Sequence, residues 1–136
     1  MRVLIVEDEY LIALDLEGTV LNLGHQPIGP ASRVGEAMDL AHDAEVAFVD
    51  VRLLDGETGP EIARRLDRDF GVSVLFVTGN PETVADNPHA IGILVKPYNE
   101  REIADALEYA VSLRNGETAS PPRSLWRRRS VMPALP

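Results

Sequence analysis

Residues 46–50, Val46-Ala47-Phe48-Val49-Asp50, form a β-branched, apolar run that ends on a carboxylate. Three further runs repeat the pattern. Val3-Leu4-Ile5-Val6 leads into Glu7-Asp8, Val74-Leu75-Phe76-Val77 into Thr78, and Ile93-Leu94-Val95 into Lys96. Continuous apolar runs of this length read as strands buried on both faces of a parallel sheet. Ligands of open α/β sheets sit beyond the carboxyl ends of such strands. The pattern therefore gathers three carboxylates, a hydroxyl and an ammonium around one crevice.

Helical patterns alternate with these runs. The first strand, about Arg2–Val6, precedes a helix over about Tyr10–Leu23, with apolar residues at Leu11, Leu14, Val20 and Leu21 and Gly24 at its stop. A short second strand, Gln26–Gly29, leads to a helix capped by Ser32 and running to Asp43, with Val34, Ala37, Met38 and Ala41 on one face. After the third strand, Asp55-Gly56 marks a turn, and Pro60 opens a helix reaching Asp69. The fourth strand is Ser73–Val77 and the fifth Ile91–Val95. Between them, Asn80-Pro81 and Asn87-Pro88 leave room only for a short or irregular fourth helix. Asn99 and Glu102 form a capping-box pattern ahead of a last helix to Leu113. Alternation of this kind predicts an α/β fold, a parallel sheet with helices on both faces and right-handed crossovers.

The 136-residue chain has no cysteine and a net charge of −9. Arg123, Arg127, Arg128 and Arg129 against Glu117 make residues 115–136 +3, which leaves residues 1–114 at −12. An acidic body disfavours nucleic acid, whose affinity rests on phosphate contacts. No signal-peptide pattern opens the chain and no apolar stretch approaches the ~20 residues of a membrane span, so a cytoplasmic protein without a membrane partner is expected. Asn115-Gly116 and Ser120-Pro121-Pro122 are linker chemistry. Residues 1–114 read as one domain and 115–136 as a flexible Pro/Arg-containing tail, with Trp126 and the Arg cluster free to dock on an acidic surface.

Oxygen donors at Glu7, Asp8 and Asp50 suit Mg²⁺, because clustered acids repel unless a cation neutralises them. Lys96 offsets part of the charge, and Thr78 offers a hydroxyl donor. His25, His42 and His89 lie away from the strand ends, and there is no Ser–His or Cys–His couple for nucleophilic hydrolysis. A carboxylate beside Mg²⁺ and a lysine suits in-line attack on a phosphoryl group.

Over residues 2–113 the chain resembles the receiver domain of two-component response regulators. The resemblance rests on Glu7-Asp8, on Asp50 within Val-Asp-Val-Arg-Leu, on Thr78-Gly79 and on Lys96-Pro97-Tyr98. It implies a flavodoxin-like (βα)5 sandwich with sheet order 2-1-3-4-5. It implies Asp50 as phosphoacceptor from a histidine kinase or phosphotransfer protein, assisted by Lys96 and Thr78. It further implies Mg²⁺ held by Asp8, Asp50 and the carbonyl of Arg52, with Glu7 acting through water, and a cis Lys96–Pro97 bond. Ile93 stands where most members carry an aromatic that follows the threonine. With Phe76-Val77-Thr78-Gly79 and the weak fourth helix, this is similar to the subgroup with a Phe-Ala-Thr-Gly-type motif, although Val77 replaces its alanine. That subgroup serves general stress and light-responsive signalling in alphaproteobacteria. Asn80 and Arg52 are expected at the pocket mouth, and Tyr98 on the switch face or exposed.

The expected function is a stand-alone, non-enzymatic regulator that signals through an unknown output protein, with a homodimer through the helix-four to helix-five face also allowed. A phosphate sink for a kinase is the alternative. A haloacid-dehalogenase-type phosphatase would need an Asp-x-Asp pattern after the first strand, which Glu7-Asp8-Glu9 lacks.

Overall fold

The computed structural model describes residues 1–127. Its elements are β1 (Arg2–Val6), α1 (Tyr10–Asn22), β2 (Gln26–Ala31), α2 (Val34–Leu40), β3 (Val46–Asp50), α3 (Gly59–Phe70), β4 (Ser73–Thr78), β5 (Ala90–Val95), α4 (Glu100–Arg114) and β6 (Leu125–Trp126). The sheet runs β2-β1-β3-β4-β5-β6, so the expected order 2-1-3-4-5 is present. The first five strands are parallel, and β6 is antiparallel to β5.

Alternation along the strands divides the core into two layers. Val3, Ile5, Phe48, Leu75 and Leu94 pack with α1 and α4, against Leu16, Val20, Ile103 and Leu107. Leu4, Ala47, Val49, Phe76 and Ile93 face the other way, onto Ile62 and Leu66 of α3. Every residue of β3 is buried, because this central strand is covered by helices on both sides. Among the described residues no helix is long and apolar enough to cross a membrane.

Four local readings differ from the sequence expectation. In α1 the buried residues are Ala13, Leu16, Thr19 and Val20, whereas Leu11, Leu14 and Leu21 are exposed. Of the four apolar residues expected there, Val20 is buried, and it packs with Ala13 and Leu16. β2 continues through Pro30 to Ala31. Proline is tolerated there because β2 is an edge strand, paired only with β1.

Ser32 does not cap α2. Its backbone N–H donates to Glu36 Oε1 (2.8 Å), and the N–H of Val34 is taken by Asp55 Oδ2 (2.9 Å) from the β3–α3 loop. The cap thus comes from tertiary structure, and α2 ends at Leu40, followed by a 3₁₀ turn over Ala41–Asp43. The fourth helix, expected to be short or irregular, is indeed no more than one 3₁₀ turn, Pro81–Val84. Finally, the tail is not free along its described length. Leu125 and Trp126 pair with Leu94 and Ile93 as a sixth strand. Arg128 and Arg129 lie outside the described residues.

The capping box of α4 is formed. Glu102 N–H donates to Asn99 Oδ1 (2.8 Å), and Asn99 N–H to Glu102 Oε1 (3.1 Å).

The choice of face on α1 has a direct test. Leu16→Ala should lower unfolding free energy by about 2–5 kcal/mol in urea titrations. Leu11→Ala should change it by no more than about 0.5 kcal/mol.

Candidate phosphoryl-acceptor site

Five polar residues meet because four parallel strands end at one level. Asp50 of β3 is level with Val77, and Thr78 of β4 with Val95 of β5. The ladder continues one step further, where Lys96 N–H donates to the Thr78 carbonyl (2.9 Å). Glu7 N–H, just past β1, donates to the Ala31 carbonyl (2.8 Å). Glu7, Asp50, Thr78 and Lys96 are therefore carried by backbone that the sheet already holds, and Asp8 follows directly on Glu7.

The carboxylates of Glu7, Asp8 and Asp50 each bring an oxygen within 4.8 Å of the others. Glu7 is 2% exposed, Thr78 5% and Asp50 8%. Lys96 Nζ lies 3.0 Å from Asp50 Oδ2 and 3.5 Å from Glu7 Oε1, and so bridges the two buried acids. Asp8 is less buried and lines the open cleft with Asp50, Thr78 and Lys96. The cleft encloses about 310 Å³. The Thr78 hydroxyl accepts from Asn80 N–H (3.0 Å), which leaves its own proton to donate to an oxygen in the cleft.

The charges shift one another. Burial is the main cause that pushes the Glu7 carboxyl up to about 7, and the neighbouring Asp50 charge adds to it. The Glu9 N–H, 3.1 Å from Glu7 Oε2, and Lys96 pull in the other direction. Burial alone would lower the Lys96 pKa, but the hydrogen bond and charge of Asp50, followed by Glu7, outweigh it and leave it raised. Three hard oxygen donors around a single ammonium form a set that a small divalent cation would complete.

Arg52 and Asn80 both line the cleft, as do Glu57 and Thr83, which the sequence did not single out. Arg52 Nη2 pairs with Glu57 Oε1 at 3.1 Å, and both side chains are well exposed at the mouth. Thr83 Oγ1 donates to the Asn80 carbonyl (2.9 Å) and ties the 3₁₀ turn to the loop after β4. The i, i+5 spacing of Arg52 and Glu57 across a Gly-containing turn was the one signal for the first pair. The Lys96–Pro97 bond is cis.

Two residues do not reach the cleft. Tyr98 is half-buried and lines a separate groove with Leu14 and Asp15 of α1, where burial and then the negative field of Glu7 push its phenol pKa up. Ile93 is 2% exposed and packs in the same layer as Phe76 and Val84. The three histidines lie elsewhere. His25 meets the Met1 amino group, His42 approaches Asp43, and His89 bonds Asp67.

Gly59 sets the approach of α3. A Cβ at this position would fall on the Asp50 carbonyl oxygen and the Val51 backbone. Gly59 N–H donates to the Val51 carbonyl (3.0 Å), so the start of α3 buttresses the chain as it leaves β3.

No family model matches the chain. It is 33% identical over 115 residues to the phyllosphere-induced regulator PhyR of Methylorubrum extorquens, covering 81% of this chain and 43% of that protein. It is 34% identical over 116 residues to the transcriptional regulatory protein PdtaR of Mycobacterium tuberculosis, covering 82% and 57%. The chain thus spans about half the length of these curated relatives. The solution structure of the Erythrobacter litoralis PhyR response regulator REC domain matches with 31% identity and a TM-score of 0.77, over 88% of this chain and 95% of that one. The chain belongs to the response regulator receiver-domain family. A CheY-like receiver domain from Methanospirillum hungatei, 23% identical with a TM-score of 0.73, shares the fold.

In this receiver domain the raised Glu7 pKa has a stability consequence. A carboxyl whose folded pKa is above its unfolded value binds more protons when folded, so its contribution to stability falls as pH rises from about 4.5 to about 7. In metal-free buffer, Glu7→Gln should flatten the decline of stability across that window. The Glu7 side-chain carbon resonance of the wild type should titrate with a midpoint near 7.

Proposed function

We propose that Asp50 accepts a phosphoryl group from a phosphohistidine of a sensor kinase or phosphotransfer protein. The observation that supports this most is the position of Asp50. Its carboxylate is buried at a strand end, 3.0 Å from Lys96 Nζ, and still lines an open cleft. An Asp50 oxygen forms the new P–O bond in line with the departing nitrogen, the P–N bond breaks, and the leaving imidazole keeps the electron pair and takes a proton. Lys96 stays beside the acceptor and stabilises charge on the transferred oxygens. The Thr78 hydroxyl donates to another of those oxygens.

The donor set fits a hard cation. Asp8, Asp50 and the Arg52 carbonyl would hold Mg²⁺, with Glu7 acting through water, and the ion would neutralise the incoming phosphoryl oxygens. Two residues after Asp50 stands Arg52 and not a carboxylate, so the Asp-x-Asp pattern of a phosphatase is missing around this acceptor as well, which favours signalling over turnover of a phosphate ester.

Output follows from what lies under the cleft. Ile93 is enclosed by Phe76 and Val84, and a branched aliphatic in that place has no aromatic ring to swing between two positions. A pull on Thr78 is carried instead by Asn80 and Thr83 into the single 3₁₀ turn that follows β4. That turn and β5 then present the altered surface to a partner protein.

Beryllofluoride with Mg²⁺ should shift the amide resonances of Asp50, Thr78, Asn80 and Lys96 in the wild type and leave those of Asp50→Asn unchanged. Lys96→Ala should slow phosphorylation by a small-molecule phosphodonor by about 100-fold or more. Wild-type behaviour of Asp50→Asn in the resonance experiment would reject Asp50 as the acceptor.

A further inference from the structure

β5 would end the sheet as an edge of unpaired N–H and C=O groups if the chain stopped after α4. It does not end that way. The segment after α4 turns back, with Leu125 N–H donating to the Pro122 carbonyl (3.1 Å), and lays Leu125 and Trp126 along Leu94 and Ile93. The contact is specific on one side and slight on the other. Leu125 is 6% exposed and joins the apolar layer of Leu94 and Leu107. It fits because residue 92 is glycine. A Cβ on Gly92 would stand 2.6 Å from both Cγ and Cδ2 of Leu125, and its three nearest neighbours are all atoms of that one side chain. Gly92 is thus a slot in the strand edge cut to the size of one leucine. Among the described residues only two of this segment pair, however, and Trp126 remains 45% exposed.

Charge favours the same kind of occupant. Residues 1–114 carry −12, and Asp105 and Glu108 of α4 line the groove beside Ser120 and Pro122. The resident segment reads Arg123-Ser124-Leu125-Trp126-Arg127, with an arginine at each end.

We propose that the β5 edge is a strand-docking surface of this protein, and that residues 123–127 are its resident occupant and mask. Its external partner is an extended segment of another protein that displaces them. That segment adds antiparallel to β5, seats a leucine-sized side chain over Gly92 and carries basic residues on either side. Main-chain pairing supplies affinity and the slot supplies selectivity, as in other cases of strand addition. The mask competes as a tethered ligand, and a segment that pairs through two residues yields to a longer one. The proposal does not depend on Asp50 chemistry.

The test uses full-length protein and a fluorescein-labelled peptide of residues 119–127, followed by fluorescence polarisation. Leu125→Asp removes the resident side chain and leaves the slot open, so the peptide should bind this variant about tenfold or more tightly than wild type. Adding Gly92→Val to Leu125→Asp fills the slot and should abolish that binding. Equal binding to wild type and Leu125→Asp, or retained binding by the double variant, overturns the proposal. Gly92→Ala provides a separate reading should Leu125→Asp fail to fold, since the three atoms nearest the added carbon all belong to Leu125. It should red-shift Trp126 emission and raise its quenching by acrylamide, with amide protection of β1 and β3 unchanged. Unchanged Trp126 emission in Gly92→Ala would equally overturn the proposal.

Discussion

The Lys96 ammonium, held between the buried carboxylates of Asp50 and Glu7, is the interaction on which the rest of this receiver domain depends. Without it, two acids with little contact to water would face each other at the end of the sheet. Removing one partner of such a group is costly because it leaves uncompensated charge. The fold accepts this concentration of charge because each group is fixed by backbone already committed to the ladder. The acids follow β1 and end β3, the lysine follows β5, and the β4 threonine carbonyl binds the lysine N–H. The site is therefore a property of strand register, and the two apolar layers that set the register also set the chemistry.

Much of this was legible in the sequence because it is local. Apolar runs marked the parallel strands, and the polar residue ending each run marked the cleft. The two Asn-Pro steps left space for little more than the turn now seen at Pro81–Val84. Asn99 and Glu102 announced the start of α4, and both capping bonds are made.

The parts that were not legible depend on tertiary contact. α1 has more apolar residues than one face can bury, and periodicity alone picked Val20 but could not prefer Ala13 and Leu16 to Leu11, Leu14 and Leu21. The cap of α2 comes from Asp55, 21 residues away in sequence, so no local signal at Ser32 could reveal it. β2 was expected at Gln26–Gly29, but Pro30 hid its continuation to Ala31 until its edge position was known. β6 is two residues long, and its position depends on the missing side chain at Gly92, which has meaning only once Leu125 is beside it. Composition read residues 115–136 as a flexible tail and could not show that Leu125 and Trp126 return to the sheet.

The most direct test of phosphoryl acceptance at this cleft is chemical mapping of the modified residue. The protein is incubated with Mg²⁺ and a small phosphodonor, reduced with borohydride to convert an acyl phosphate into a stable alcohol, digested, and analysed by mass spectrometry. The account predicts a single modified peptide in which Asp50 has become homoserine, dependent on Mg²⁺ and absent without the donor. Modification at Asp8 or Glu7 in place of Asp50, or none under conditions where a known receiver domain is labelled, would contradict it.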